Sequence, residues 1–242
     1  MFCENAWMSD GQRPSDPRWP KLLSLAVHEF RTPITVVAGY IRMLLKDRAG
    51  PISDQQRRLL EEAEKSCGRL SALVAEMSDL SNLEAGTAAV NTSTVDLRTV
   101  IEEAIAAMPP MADREVSVQL ESADHQVSIQ GDPTRVRAAF IALMVALRRE
   151  LINSDVLLVR LDPADIEGSP GAVITMGDEE QLSRLTGVDT ATLPRFDEWR
   201  GGSGLSLAVA RRVIAHHGGM LLGPPDDAKA GAVVAFRNVS AG

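Results

Sequence analysis

A short stretch near the start of the chain, residues 24–40 (SLAVHEFRTPITVVAGY), combines helical periodicity with a group of reactive side chains. His28 and Glu29 are adjacent. A histidine that is largely neutral near neutral pH can act as a nucleophile while a neighbouring carboxylate orients it or takes its proton. Arg31 could steady phosphoryl oxygens, and Thr32 could position a water molecule. The pattern predicts a nucleophilic histidine held on a rigid helix.

Pro33 lies within the same helical stretch and removes one backbone hydrogen bond, at a cost of about 3 kcal/mol in a regular helix. It therefore predicts a looser backbone near His28. The alternative is an ordinary surface helix in which His28 is solvated, Glu29 is a surface charge and Pro33 is a tolerated kink. For a lone histidine on a helix surface, that alternative is the commoner situation.

The reactive residues lie on the first helix of a predicted helical hairpin. From about residue 21, apolar residues alternate at spacings of four and three, which indicates one packing stripe along a helix. Gly50 and Pro51 end this helix, and Ser53 with Gln56 predicts a capping box for the next one. The first stripe is Leu23, Val27, Phe30, Ile34, Val37, Ile41 and Leu44, and the second is Leu60, Ala63, Cys67, Leu70, Val74 and Met77. Two such hairpins would bury both stripes in a dimeric four-helix bundle.

The second half of the chain has a different pattern, with short alternating strands between helices. Asp96 and Asp132 are predicted helix N-caps, Pro133 fits the first position of a helix, and Gly218 ends the last helix. The predicted strands cover residues 115–121, 126–131, 155–161, 171–176 and 232–238. This order predicts an α/β sandwich with helices on one face of a mixed sheet.

Composition restricts the classes of function that remain. The chain has 242 residues and a net charge of −8, which disfavours nucleic-acid binding because phosphate contacts need clustered basic residues. Cys3 and Cys67 lack metal-ligand spacing and suggest a reducing compartment. The first 20 residues resemble a polar tail or linker rather than a signal peptide, and no membrane span is predicted. These features favour a cytoplasmic location without membrane insertion.

The run HEFRTP, residues 28–33, resembles the phosphoacceptor box of two-component sensor histidine kinases, and DLSNLEAG ends the second helix as is typical of that family. The resemblance covers about residues 20–240. It implies that His28 takes the γ-phosphoryl group of ATP and passes it to an aspartate of a response-regulator receiver domain. It also implies that Glu29 is the activating carboxylate and that Thr32 assists dephosphorylation of the regulator.

The same resemblance suggests a domain organisation with three parts. Residues 1–20 are a tail or linker, residues 21–86 form the dimerisation and phosphoacceptor hairpin, and residues 95–242 form a degenerate ATP-binding-like module. The implied partners are a second copy of the chain, bound through the hairpin, and the receiver domain. The implied cofactors are ATP and magnesium.

The ATP-binding half departs from the family pattern. The family's asparagine box, NLLxNAxK, matches ALMVALRR here, so Ala142 and Ala146 replace both asparagines. Alanine cannot ligate magnesium, because a hard cation needs oxygen ligands. The DxGxG box lacks its glycine pair, and Gly177 or Asp178 lies near the position of the aspartate that recognises adenine. These losses predict ATP chemistry that is weak or absent.

A second glycine box survives as GGSGLSLAVARRVIAHHGG. In it, Gly202, Gly204 and Leu205 precede a predicted helix whose N-terminus could present backbone donors to phosphates. A tight loop that leads into a helix explains the same residues equally well. His216 and His217 are interpreted as capping or surface residues, and no metal site is predicted.

Three hypotheses remain open from the sequence. In the first, His28 exchanges phosphoryl groups with a response regulator, as a relay or as a phosphatase that uses Thr32, while the chain's own ATP chemistry is weak or lost. In the second, the chain is an ATP-dependent histidine kinase with a divergent pocket in which Asp178, Glu179 or Glu180 replaces the missing groups. In the third, it is a non-catalytic dimeric adaptor.

Overall fold

A computed structural model describes residues 18–88, 91–111, 114–121, 127–199, 204–225, 230–237 and 239–241. The described residues fall into two compact units, 18–88 and those from residue 91 onward. The helices are α1 (Arg18–Leu45), α2 (Asp54–Glu84), α3 (Leu97–Ala106), α4 (Pro133–Glu150), α5 (Glu179–Leu185) and α6 (Ser206–His216). The strands are β1 (Ser93–Asp96), β2 (Ser117–Glu121), β3 (Val127–Gly131), β4 (Val156–Ile166), β5 (Ser169–Gly177), β6 (Gly219–Leu222), β7 (Ala232–Arg237) and β8 (Ser240–Ala241). A short 3-10 helix covers Thr190–Thr192.

The first unit is a hairpin of two long helices, as the apolar spacing predicted. Its centre is formed where α1 and α2 pack together, with Val27 and Ile41 of α1 and Cys67 and Val74 of α2 buried. Among the residues that the structure describes, no helix is both long enough and apolar enough to cross a membrane.

The turn between α1 and α2 is held by a capping box and by one arginine. Gln56 N donates to Ser53 Oγ at 3.3 Å and Ser53 N donates to Gln56 Oε1 at 2.8 Å, which confirms the predicted cap. Arg57 donates to the Leu45 carbonyl at 2.8 Å and to the Asp47 carboxylate at 3.0 Å. Arg57 lies in the first turn of α2 and binds both the last residue of α1 and the turn that follows it. These bonds fix the position at which the chain reverses.

Part of the predicted packing stripe lies outside the hairpin contact. Phe30 is 53% exposed and Val37 is 49% exposed, although the sequence placed both beside Val27 and Ile41. Apolar residues that repeat every 3.5 positions shift gradually around a straight helix that has 3.6 residues per turn. Residues at the edge of the stripe therefore lie outside the contact between α1 and α2. The other large apolar side chains of α1 that are exposed are Trp19, Leu22, Leu25, Val36, Tyr40 and Met43.

The second unit contains a mixed five-stranded sheet in the order β2-β4-β5-β7-β6. Strand β2 is parallel to β4, and the other neighbouring pairs are antiparallel. The register places the fully buried Leu161, Ile174 and Val234 on one face. Ile214 of α6 lies against that face beside Gly219. A separate antiparallel sheet has the order β1-β3-β8.

These findings confirm the predicted fold class, a helical hairpin followed by an α/β unit with a mixed sheet. The structure adds α5, a short helix that the sequence analysis did not predict. Leu185 of α5 packs in a cluster with Leu222, Val233 and Val173. Val233 and Val173 alternate with Val234 and Ile174 along their strands, so α5 covers the opposite face of the sheet. This corrects the prediction that the helices lie on one face only.

Candidate functional site

His28 and Glu29 occupy the outward face of α1. The side chain of His28 is 79% exposed and that of Glu29 is 72% exposed, and His28 Nδ1 lies 3.6 Å from Glu29 Oε1. His28 faces solvent because the preceding residue, Val27, is buried against α2 and each residue turns the helix by about 100°. The carboxylate can hold a proton on Nδ1, which leaves Nε2 as the ring nitrogen that Glu29 does not engage.

Arg31 and Thr32 lie three and four residues after His28, and both are exposed. Residues at these spacings are neighbours on the surface of a helix, so the structure brings all four predicted residues of the box to one exposed patch. Thr35 Oγ1 donates to the Arg31 carbonyl at 2.8 Å. The patch therefore offers a nucleophile, a carboxylate, a guanidinium and a hydroxyl within one helical turn.

Helix α1 continues through Pro33 without interruption. Because proline has no N–H group, the Glu29 carbonyl lacks its usual donor four residues on. The missing bond lies one residue from His28, at the position where the sequence predicted a loosened backbone.

Helix α4 carries the positions that correspond to the family's asparagines. Ala146 is 3% exposed and Ala142 is half-buried, and neither can supply an oxygen ligand. The described residues contain no group of three or more His, Cys, Asp and Glu side chains that could hold a metal ion. The residues of α4 therefore do not fit the magnesium site that the family pattern implies.

Asp178, the candidate for adenine recognition, is the N-cap of α5. Its Oδ1 accepts a hydrogen bond from Gln181 N at 2.8 Å. A Cβ on Gly177 would lie 2.7 Å from the Gln181 Cβ, so strand β5 runs closely into α5 at this point. The carboxylate of Asp178 thus has a structural partner, and any role toward adenine stays a prediction.

The second glycine box is described only in part, because Gly202 lies outside the described residues. Gly204 has a φ of 59°, in the left-handed region that favours glycine, and is exposed. Leu205 directly precedes α6 and offers no side-chain acceptor for the first turn. This geometry fits the tight loop considered above, and the phosphate-binding role of Gly204 and Leu205 stays a prediction.

His217 is buried, which corrects the interpretation that it is a capping or surface residue like the exposed His216. Its Nε2 accepts a hydrogen bond from Asp132 N at 2.9 Å. The ring fits because Gly131 has no side chain, and a Cβ there would overlap the imidazole. Gly131 directly before the Asp132 cap makes room for the contact, but nothing in the sequence indicated a partner 85 residues away.

A buried ion pair also escaped the sequence analysis. Glu198 is 7% exposed, and its Oε2 lies 2.6 Å from Arg211 Nε and 3.8 Å from Arg212 Nη1. The pair joins the segment before the second glycine box to α6. No periodic pattern links residues 198 and 211, so nothing in the sequence indicated it.

Comparison with known proteins identifies the first unit. Residues 21–86 match the family described as the His Kinase A (phospho-acceptor) domain. The circadian input-output histidine kinase CikA of Synechococcus elongatus is 27% identical over 208 residues, which are 82% of this chain and 27% of that protein. The cell-division control histidine kinase PdhS of Brucella ovis is 25% identical over 218 residues, 85% of this chain and 21% of that protein. The chain thus spans about a quarter of these relatives.

Solved structures share the fold. Full-length ShkA in complex with AMPPNP superposes with a TM-score of 0.64 at 19% identity, covering 92% of this chain and 46% of that one. The Acinetobacter baumannii histidine kinase AdeS gives a TM-score of 0.53 at 20% identity, covering 86% of this chain and 95% of that one. Residues 21–86 are therefore a phosphoacceptor domain of the His Kinase A type, and the chain is homologous to sensor histidine kinases over more than four-fifths of its length.

Proposed function

We propose that His28 exchanges a phosphoryl group with an aspartate of a response-regulator receiver domain. The observation that carries this proposal is the exposed His28 imidazole, 3.6 Å from the Glu29 carboxylate, on a helix within the matched phosphoacceptor domain. An exposed nucleophile on a rigid rod can enter a partner's active site without rearrangement. The helix also fixes the neighbouring polar side chains around it.

In the forward step, the Nε2 lone pair of neutral His28 attacks the phosphorus of a phosphoaspartate. The N–P bond forms, the bond from phosphorus to the aspartate oxygen breaks, and the carboxylate leaves. The ring then carries a positive charge with its proton on Nδ1, which the facing Glu29 carboxylate stabilises. Arg31 neutralises the phosphoryl oxygens, and Thr32 positions a water molecule when the regulator is dephosphorylated instead.

We further propose that the chain's own ATP chemistry is weak or lost. Two observations support this: Ala142 and Ala146 provide no metal ligand on α4, and the carboxylate of Asp178 caps α5. Loss of one well-placed polar catalytic contact commonly costs on the order of 3 kcal/mol of transition-state stabilisation. The phosphoryl group on His28 would then come from a partner protein.

A second candidate is an ATP-dependent histidine kinase with a divergent pocket. The fold supports it, because ShkA, whose structure holds AMPPNP, superposes over 92% of this chain. Intact mass after incubation with magnesium and ATP separates the two. A gain of one phosphate that is absent from His28→Ala would favour the second candidate.

The proposed exchange is tested with a receiver domain that has been phosphorylated and then freed of its small phosphodonor. Mixed with this chain, the receiver should lose phosphate while the chain gains it, as followed by intact mass. No gain on the chain from this donor or from ATP, with the receiver keeping its phosphate at the rate it shows alone, would contradict the proposal and favour the adaptor hypothesis. Loss of phosphate from the receiver without a gain on the chain would indicate the phosphatase role of Thr32.

We also propose a homodimer through the hairpin, because Phe30 and Val37 of the predicted packing stripe are 53% and 49% exposed on α1. These two residues are seven apart, or about two turns, and so share a helix face, which a second hairpin would cover. Light scattering should show a dimer at micromolar concentration. Val37→Asp should weaken it by about 3 kcal/mol or more, or roughly 100-fold in Kd, because it buries a carboxylate in the interface.

The matched control for the dimer is Thr35→Asp, since Thr35 is exposed, already polar and two positions from Val37, on the other side of the same helix. It should leave the molecular weight in solution unchanged. If the wild-type chain is a monomer at micromolar concentration, the proposed four-helix bundle is wrong.

A further inference from the structure

The buried imidazole of His217 joins three segments of the second unit. Its Nδ1 lies 2.6 Å from the carbonyl oxygen of Val213, one turn back in α6. Its Nε2 accepts from Asp132 N, where β3 ends and α4 begins. The Asp132 carboxylate in turn accepts from Asn91 N at 3.1 Å, at the start of the unit. We call His217, Asp132 and Asn91 the His217 node.

The hydrogen bonds alone determine the protonation state of the ring. A carbonyl oxygen can only accept, so Nδ1 must carry a hydrogen and donate to Val213. A backbone N–H can only donate, so Nε2 must present its lone pair to Asp132 N. The ring is therefore neutral, and a proton on Nε2 would place two N–H groups against each other.

The ring is already packed closely against the backbone of β3. It occupies the space that a side chain on Gly131 would fill, so it cannot move toward the backbone of β3. The charged or titratable groups that face it are Asp132 and Arg135 from α4 and His216 from its own helix. Burial is the largest effect and lowers the pKa of His217, and His216 and Arg135 lower it further, against the opposing effects of Val213 and Asp132.

We propose that the His217 node is an acid-operated latch: uptake of one solvent proton at Nε2 breaks the bond from Asp132 N and releases the start of α4 together with residue 91. Asp132 transmits the change because it is the N-cap of α4, where its Oδ1 accepts from Thr134 N at 3.0 Å and Arg135 N at 3.1 Å. Displacing its backbone strains these bonds and the bond from Asn91 N.

The carboxylate of Asp132 is held in its ionised form. Burial raises its pKa, but the backbone donors Arg135, Asn91 and Thr134, helped by the charge of Arg135, together outweigh burial and lower it below 3.8. The cap therefore stays mostly ionised down to about pH 4.5. Between the lowered pKa of folded His217 and the ordinary value of about 6.5, the closed state binds fewer protons than the opened state. The latch is fully stabilising above about pH 6.5 and weakens as the pH falls toward the folded pKa.

The test is amide hydrogen exchange of the full chain by NMR, from about pH 7.5 down to about pH 4.5, a range that brackets the ordinary histidine pKa of about 6.5. Rates are converted to protection factors so that the intrinsic pH dependence of exchange is removed. In the wild type, protection of the Asn91 and Asp132 amides should fall together, by at most tenfold per pH unit because one proton is bound. His217→Gln keeps an acceptor but cannot titrate, so its protection should not change with pH.

The matched control is His216→Gln, which removes the exposed neighbouring histidine. It should keep the pH-dependent loss of protection, with the midpoint moved to a higher pH because one repelling charge is removed. If His217→Gln fails to fold, the ¹⁵N chemical shifts of wild-type His217 provide the second measurement. They should show hydrogen on Nδ1 only at neutral pH and should titrate with the same midpoint as the loss of protection. Protection that stays constant over the whole range, or that falls equally in His217→Gln, would overturn the latch.

Discussion

Replacement of His28 by glutamine should abolish phosphoryl uptake from a phosphorylated receiver domain, a fall of at least about a thousandfold. Glutamine retains polarity and similar size, but its amide cannot form the N–P bond. Because the His28 side chain is 79% exposed, the substitution should not change the stability or the helix content of the hairpin. Uptake is measured by intact mass against time, and folding by circular dichroism.

Two further variants separate the roles within the exposed patch. Glu29→Gln should still accept phosphate but about 100-fold more slowly, because the charge that balances the imidazolium is lost. Thr32→Ala should accept phosphate at the wild-type rate and slow dephosphorylation of the regulator. His216→Gln is the control, since this exposed histidine lies outside the phosphoacceptor domain. Wild-type uptake by His28→Gln would show that the phosphate goes elsewhere.

Replacement of Ile41 by aspartate should unfold the hairpin. Ile41 is 8% exposed where α1 packs on α2. Removing a buried isoleucine side chain costs about 2–5 kcal/mol, and placing a carboxylate in its apolar surroundings adds to that loss. A total of about 5 kcal/mol approaches the whole stability of a typical domain. Thermal unfolding followed by circular dichroism should show early loss of helical signal, since α1 and α2 are the two longest helices.

The control for this second prediction is Ser24→Asp, which adds the same charge to an exposed position of α1. It should unfold at nearly the wild-type temperature. A wild-type unfolding curve for Ile41→Asp would mean that the hairpin core does not lie along this side of the helix.

The hairpin was largely predictable because its signals are local and repeated. The apolar spacing covers several turns, and the capping box needs only Ser53 and Gln56, which are three residues apart. What the sequence could not show is which edge of the stripe stays exposed. Phe30 and Val37 fit the same pattern as Ile41, and only the geometry of the helix contact distinguishes them.

The second unit was predicted less completely because several of its elements are short. Strands β1 and β6 have four residues each, too few to show alternation, and α5 has only seven. Strand β4 continues five residues beyond the predicted end at Leu161, through Pro163, which usually argues against a strand. The long-range partners of His217 and Glu198 have no sequence signal, because contacts at 85 residues and at 13 residues follow no helical or strand period.

The phosphoacceptor site could be predicted from the sequence, whereas the nucleotide site could not. His28, Glu29, Arg31 and Thr32 lie within five residues of one helix, so their proximity follows from the sequence. A nucleotide site instead depends on separate elements that meet in space. Asp178 illustrates the difference, because the structure gives its carboxylate a helix-capping partner that the motif did not predict.

The proposed exchange requires that His28 itself carries the phosphoryl group. The most direct measurement is tandem mass spectrometry of the chain after exposure to a phosphorylated receiver domain, with digestion at neutral to alkaline pH because phosphohistidine is acid-labile. We expect one phosphate, located on the imidazole of His28 and lost after acid treatment. A phosphate on any other residue, or an acid-stable phosphate on a serine or threonine, would contradict it.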